Sequence, residues 1–397
     1  MALKAAMVQR CKPDFIMTYQ NKLGVYRIND LEFHSKLEAI EMHTKTGIHP
    51  HWDFNEAVYS SYDWTAEPTE NILELYRQRA VQLREKYDHI VLMYSGGADS
   101  TTMLESFVNN GIHVDEVASY INYTATGDKD NYLNAEIFRV SVNKIDQFKE
   151  KYPWLKYRLI DLTDLTLDLF SQTETKFNWI YDMNMFFNPN AAARDQLALK
   201  VKEWADIIHQ GKKFCIVWAH DKPRIHHENN RWMFRFIDLI DNGPTVKSIS
   251  GQNPYSDELF YWTPDLPKIV IKQCHLIKNY LSNELVKTLP FVSQEKSDLA
   301  YRTINGVKYW LNNHGVHSLI YPNWDIHTFS NGKPNSIIFS DRDFWFYNIE
   351  NENLVKKNWA VGLDKLWKVL PDYWKNTPDD INNGLKACWS KSYFLEN

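Results

Sequence analysis

The chain has 397 residues, 44% hydrophobic and 24% charged, with a formal net charge of −5. That length calls for two or three folding units, and that composition excludes a disordered or fibrous chain. The acidic balance carries no whole-chain footprint for nucleic acid, so a nucleic-acid partner is disfavoured.

Cys11, Cys215, Cys274 and Cys388 are scattered with no Cys-x-x-Cys pair. A zinc ribbon, an iron–sulfur cluster and a disulfide framework are therefore excluded. The apolar stretch at the N-terminus is too short for a signal peptide and no run of eighteen apolar residues occurs, so a cytoplasmic location with no membrane partner is expected. The 15 Trp, 22 Tyr and 20 Phe point to broad aromatic packing.

In chain order, residues 1–67 form an N-terminal appendage with a strand or hairpin over Phe15–Ile28 and a helix over Leu31–His43. From Thr69 to Lys86 apolar residues recur at steps of three and four, the mark of an amphipathic helix. His89–Tyr94 is an apolar run typical of a buried parallel strand. A helix is expected over Thr101–Asn110, ended by Gly111, then a strand over Glu116–Ile121 and one long helix over Lys129–Lys151. Further strands are expected at Leu155–Ile160 and Lys213–Ala219, with a helix over Ala191–Gln210 between them. This alternation predicts an α/β fold with a doubly wound parallel sheet over residues 68–225.

Residues 226–397 read as a mixed α+β region that binds substrate or a partner. Arg224–His227 and Trp232–Ile240 flank a polar turn as a β-hairpin. A loop punctuated by Pro254, Pro264 and Pro267 leads to a helix over Ile269–Val286. Short strands at Ser336–Ser340 and Phe344–Asn348 precede a helix over Leu354–Leu370. The neighbours His226 and His227 have no third ligand at metal spacing and point to opposite strand faces, so no zinc site is read there.

Between the first strand and its helix lies Ser95-Gly96-Gly97-Ala98-Asp99-Ser100-Thr101. Two glycines let the backbone bend so that several N–H groups face one concavity, and the following helix adds its unpaired N–H groups and positive dipole end. The hydroxyls of Ser95, Ser100 and Thr101 supply further donors. Asp99 would repel a phosphate unless a divalent cation lies between them, which predicts Mg²⁺. No Gly-Lys-Ser/Thr follows, so this is not a Walker P-loop.

The stretch Ser95–Thr101 resembles the signature of the PP-loop ATP pyrophosphatase superfamily, Ser-Gly-Gly-x-Asp-Ser followed by Ser or Thr. That superfamily includes asparagine, GMP and argininosuccinate synthetases, tRNA-modifying enzymes and phosphoadenylylsulfate reductases. The resemblance implies an adenine nucleotide alpha hydrolase-like sheet and cleavage of ATP between its α- and β-phosphates, with Mg²⁺ on Asp99. By the same resemblance, Lys222 and Arg224, in a loop after a later strand, contact phosphates or an acyl-adenylate, and Asn122, past the second strand, sits where members touch adenine and ribose.

Arg194 is a candidate for a substrate carboxylate or phosphate. Tyr261–Asp265 and the helix bearing Lys272, Gln273 and His275 either line an acceptor pocket or tie the domain together. With no cysteine pair, sulfur transfer and a reductase role are disfavoured, leaving an adenylating, C–N bond-forming enzyme that takes ammonia or an amine. A nucleotide-binding or sensing module without turnover is the second reading. A nucleic-acid-modifying or reductase-like member is the third.

Overall fold

The computed structural model describes residues 23–130, 134–171, 178–181, 189, 193, 197–220, 222–238, 250–282, 300–304, 307–310, 319–322, 346, 353–375 and 385–397. Among the described residues the strands form three sheets, an antiparallel one and a mixed one beside a parallel one. The first is β1 (Val25–Ile28), β2 (Leu31–Phe33) and β3 (His51–Asp53), all antiparallel. Leu31–Phe33 was expected to open a helix; it pairs instead with β1 across a turn at Asn29, which takes positive φ. Helix α1 (Lys36–Thr46) starts only after Ser35, whose backbone is extended.

Helix α2 (Ile72–Lys86) is capped by Asn71, whose side chain accepts from Leu73 N at 2.8 Å and so satisfies an orphan donor. The central sheet contains β4 (His89–Met93), β5 (Glu116–Ile121), β6 (Tyr157–Asp161), β7 (Phe214–Trp218) and β10 (Ser256–Leu259), in spatial order β10-β7-β4-β5-β6. All of its pairings are parallel. From the central β4 the chain therefore winds outward first through β5 and β6, then on the other side through β7 and β10. Every residue of β7 is buried, as is all of β4 after His89, which accounts for their unbroken apolar runs.

Helix α3 (Ala98–Val108) follows β4, and α2 packs against both α3 and α7 (Lys268–Ser282). Helix α3 begins three residues earlier than the sequence indicates, so Ala98, Asp99 and Ser100 lie in its first turn. The long helix expected over Lys129–Lys151 is shorter and irregular: a π-helical turn, Ile137–Ser141, leads into α4 (Val142–Lys151). Residues 131–133 lie outside the described residues. Helix α5 (Thr163–Ser171) follows β6. The helix expected over Ala191–Gln210 is, among the described residues, two pieces: Leu197–Lys200 and α6 (Lys202–His209), parted by the extended backbone of Val201.

The loop expected around Pro254 contains β10, the fifth strand of the parallel sheet. Its sequence, Ser-Asp-Glu-Leu, gives no apolar signal because Glu258 is a buried carboxylate. Arg79 of α2 donates to Glu258 Oε2 at 2.8 Å, while Lys86 and the Tyr87 hydroxyl reach Oε1. The Arg79 and Glu258 side chains are 1% and 2% exposed. Arg79 also bonds Leu259 O at 3.0 Å.

The third sheet has the order β12-β11-β8-β9-β13, from β8 (Ile225–Glu228), β9 (Arg231–Phe234), β11 (Ala300–Ile304), β12 (Val307–Trp310) and β13 (Tyr393–Phe394). Asn229 and Asn230 both take positive φ between β8 and β9, the conformation of a tight two-residue hairpin. Helix α8 (Leu354–Val369) packs on α5. The strands expected at Ser336–Ser340 and Phe344–Asn348 lie outside the described residues, apart from Phe346.

Residues before 67 and after 226 share one aromatic core. Phe54 and Tyr59 meet Phe236 at 4.6 and 4.5 Å between ring centroids, and Trp64 stacks on Tyr393 at 4.4 Å. Beside them Lys36 Nζ lies 2.7 Å from Asp238 Oδ2, with both side chains fully buried. Tyr26 OH and Cys388 N also donate to that carboxylate at 2.9 Å. Among the described residues no helix is long and apolar enough to cross a membrane.

Removing one partner of a buried, hydrogen-bonded ion pair leaves a stranded charge, at a cost of about 3–5 kcal/mol. Glu258→Ala is expected to lower unfolding stability by about that much in urea titration. Replacing the exposed Glu74, paired on the surface with Arg77, by Ala should cost under about 1 kcal/mol. Equal effects at the two positions would refute the account of how β10 is held.

Candidate functional site

The reversal of strand order falls between β4 and β7, and in open α/β sheets the loops beyond the carboxyl ends of such a pair form a crevice. The segment after β4, Ser95–Thr101, is a short loop that runs into the first turn of α3, and the loop after β7 carries Lys222. Register fixes the first. Tyr94 N donates to Ala118 O at 2.8 Å, extending the β4–β5 ladder by one residue, and the Ser119 hydroxyl donates to Tyr94 O. Tyr157 on β6 donates to Ser119 Oγ at 2.9 Å. Burial pushes the Tyr157 phenol up to about 12, so it stays protonated and donating at neutral pH. A relay of hydroxyls across three strands thus pins the residue that precedes the loop.

Within the loop, Gly96 takes a φ of +76°, which L side chains rarely adopt. A Cβ there would also lie 2.9 Å from Ser141 Oγ and 3.0 Å from Ser141 N, at the end of the π-helical turn. Ser141 Oγ is buried with no hydrogen-bond partner among the described residues. Single π-turns inserted in helices are frequent at functional sites, and this one lets the chain press against the glycine.

Gly97 is the N-terminal cap of α3 and offers no side chain to cap it. The helix N-terminus therefore keeps N–H groups and the positive end of its dipole for an anion. Ser95 is exposed; its Oγ accepts from Gly97 N and lies near Ser100 Oγ, both at 3.3 Å. Ser100 Oγ accepts from Ser95 N and donates to Gly97 O, again at 3.3 Å. Contacts of that length are weak and exchange readily for a ligand oxygen. The Thr101 hydroxyl is instead buried against Tyr94 OH at 3.1 Å.

Lys222 and Asp99 come together: Lys222 Nζ lies 3.3 Å from Asp99 Oδ2, with the side chains 26% and 25% exposed. The pair bridges the two loops across the strand-order reversal. Arg224 is half-buried two residues on, just before β8, and has no ion pair with Asp99. Asn122 is buried just past β5, where its N–H donates to Asn134 Oδ1 at 2.9 Å and its carbonyl accepts from Thr126 at 3.1 Å. Its backbone thus closes the loop after β5. Arg194 lies outside the described residues.

The Tyr261–Asp265 run and α7 tie elements together. Gln273 donates to Tyr76 OH at 2.8 Å, His275 contacts Trp64 O, and Lys272 pairs with Glu67 at 2.6 Å. Tyr261 is fully buried, and its hydroxyl donates to the backbone carbonyl of Asp99 at 2.7 Å. His220 packs edge-on to Trp262 with ring centroids 5.7 Å apart. Sequence reading missed Ser119, Ser141 and Tyr157, since only sheet order and the π-turn bring them to the loop.

Among the described residues the arrangement offers an oxyanion a helix N-terminus, the exposed Ser95 hydroxyl, weakly held loop donors and Lys222. Among the described residues it offers a cation the Asp99 carboxylate, and no group of three or more His, Cys, Asp or Glu gathers to hold a metal ion. No protein-family model matches the chain, and no curated protein matches it in sequence.

Gly96→Ala is expected to destabilise the fold by about 1–2 kcal/mol from the left-handed backbone alone, with a further cost from the contact with Ser141 N. Unfolding measured for Gly96→Ala and for Gly96→Ala with Ser141→Gly distinguishes the causes. The double variant should recover only part of the loss, because the backbone nitrogen at 141 remains. Full recovery would mean that the serine hydroxyl alone forbids a side chain at 96.

Proposed function

We propose that the chain is an ATP-binding enzyme of the PP-loop pyrophosphatase type, which adenylates a substrate and releases pyrophosphate. The observation that carries this reading is the Lys222–Asp99 pair, 3.3 Å across. It sets a cation and a carboxylate side by side in front of a glycine-turned helix N-terminus, at the reversal point of a doubly wound sheet. An anion-binding helix end alone needs no carboxylate. A carboxylate with an adjacent lysine fits a polyphosphate that arrives with a divalent metal.

The donor set suits Mg²⁺, which takes one or two protein carboxylates and completes its shell with phosphate oxygens and water; when bound, it would neutralise charge on the phosphates. Asp99 is the residue to hold it, half-exposed at the mouth. The N–H groups at the start of α3, with the Ser95 and Ser100 hydroxyls, hold the pyrophosphate moiety. Lys222 exchanges its partner: without nucleotide it neutralises Asp99, and with nucleotide it moves to a phosphate oxygen.

In the reaction, an oxygen of the acceptor forms a bond to the α-phosphorus as the bond from that phosphorus to the bridging oxygen of pyrophosphate breaks. The electron pair and the developing charge leave with the pyrophosphate. Donors already aimed at that charge lower the barrier without a protein nucleophile. A nitrogen nucleophile then displaces AMP, forming a C–N bond.

Calorimetry with ATP and Mg²⁺ tests the binding, and product analysis with carboxylic-acid acceptors tests the reaction. Wild-type protein is expected to bind Mg-ATP and to release AMP and pyrophosphate. Asp99→Asn should weaken Mg-ATP binding about tenfold, or about 1.4 kcal/mol, yet leave binding in EDTA as tight or tighter, since without the metal the carboxylate only repels phosphate. Lys222→Gln should slow pyrophosphate release by about 10²-fold, the effect of losing one preorganised charge donor. Failure to bind nucleotide sinks the proposal. Release of ADP and phosphate sinks the cleavage step, and binding with no turnover of any acceptor leaves a nucleotide-holding module.

A further inference from the structure

Resting on that reading of the site, we infer that Tyr261 is a positioning residue for Asp99, setting the metal dependence of nucleotide binding from the far edge of the sheet. Asp99 is held from two sides. Lys222, beyond β7, meets its carboxylate, and Tyr261, beyond β10, meets its backbone carbonyl at 2.7 Å. A carbonyl has two lone pairs, so a helix carbonyl can accept a side-chain hydroxyl beside its usual partner four residues on. At Asp99 this second bond lies in the first turn, the one that presents the carboxylate and the free N–H groups.

Tyr261 is built to hold its hydroxyl in place. Phe260 N donates to Trp218 O at 2.9 Å, continuing the β7–β10 pairing to the residue before it. Its ring is fully buried, with Tyr76, Phe260 and Tyr321 at 5.2, 5.0 and 5.6 Å between centroids. β10 is in turn gripped by Arg79 and Lys86 through Glu258. The position of the Asp99 carboxylate is thereby referred to the rigid edge of the sheet.

Loss of the hydroxyl frees the first turn of α3 to tilt while the ring still fills its space. Displacement of a binding group by a fraction of an ångström weakens the interaction that needs it and spares those that do not. Tyr76 is the control. Its hydroxyl lies in the same aromatic cluster but bonds Ile320 O at 2.7 Å and Gln273 at 2.8 Å, with no contact to the loop.

The test is calorimetry of ATP binding across a Mg²⁺ titration, and in EDTA, for wild type, Tyr261→Phe and Tyr76→Phe, with thermal unfolding of each. Tyr261→Phe is expected to raise the Mg²⁺ half-saturation about three- to tenfold, since one neutral hydrogen bond carries about 1 kcal/mol, and to weaken affinity in EDTA by a clearly smaller factor, because the N–H groups share the turn but several donors hold the phosphates. Tyr76→Phe should lower the unfolding temperature and leave the half-saturation unmoved. An unchanged half-saturation in Tyr261→Phe, or an equal loss in EDTA, overturns the positioning role. Should that variant fail to fold, 3-fluorotyrosine at 261, a stronger donor of nearly the same shape, should move the half-saturation at least twofold, and no shift overturns the role. If wild type binds no nucleotide with Mg²⁺, it is the reading of the site that fails, a result distinct from either variant's.

Discussion

The buried contact between Arg79 and Glu258 governs how the rest of the site is assembled. A carboxylate 2% exposed on an edge strand is untenable without its cations, because stripping water from a charge costs several kcal/mol unless geometry and hydrogen bonds restore it. Arg79, Lys86 and Tyr87 restore it here. In doing so they dock the C-terminal end of α2 onto β10 and admit a polar segment to a parallel sheet. Once β10 is fixed beside β7, the residues after its end, Phe260 to Trp262, lie within reach of the loop after β4.

That reach gives the loop its character. Helix α3 begins on a glycine with no capping side chain, so its free N–H groups are left to whatever occupies the crevice. The contacts inside the loop are long, at 3.3 Å, whereas those that hold its flanks are short: Tyr94 N to Ala118 O at 2.8 Å and Tyr261 to Asp99 O at 2.7 Å. A firm frame around a loosely bonded turn is what an anion site requires, since the frame sets donor positions and the turn yields its donors at small cost. The π-turn ending at Ser141 supports the loop from behind, and Gly96 is the residue that lets it approach.

Away from the crevice, one aromatic core joins the chain's beginning to its end. Trp64, Phe236 and Tyr393 come from three distant parts of the sequence and pack ring against ring. Such pairs add about 0.5–1.5 kcal/mol each beyond their buried area. The enclosed Lys36–Asp238 pair fixes the register of α1 against the segment that follows β9. Among the described residues the aromatic side chains serve largely in packing, and that packing is tertiary: few of these contacts join sequence neighbours.

Periodicity and composition alone determined the central part of the fold. The apolar runs at His89–Met93 and Phe214–Trp218, the three-and-four spacing through Tyr76 and Leu83, and the Asn229–Asn230 turn are local signals, and each element formed where it was read. Gly96, Gly97 and Asp99 marked the candidate loop for the same reason, because the need for a bend without a Cβ is written in the residues themselves. What the tertiary structure decided is everything that depends on a distant partner. Ser256–Leu259 becomes a strand only because Arg79 neutralises Glu258. The helix through Val140 carries a π-turn where Gly96 leaves room, and Lys222 finds Asp99 only because strand order reverses between β4 and β7. A sequence states what a residue can do near itself; a buried charge or a parallel pairing is settled by energies between residues far apart in the chain, as Arg79 and Glu258 are.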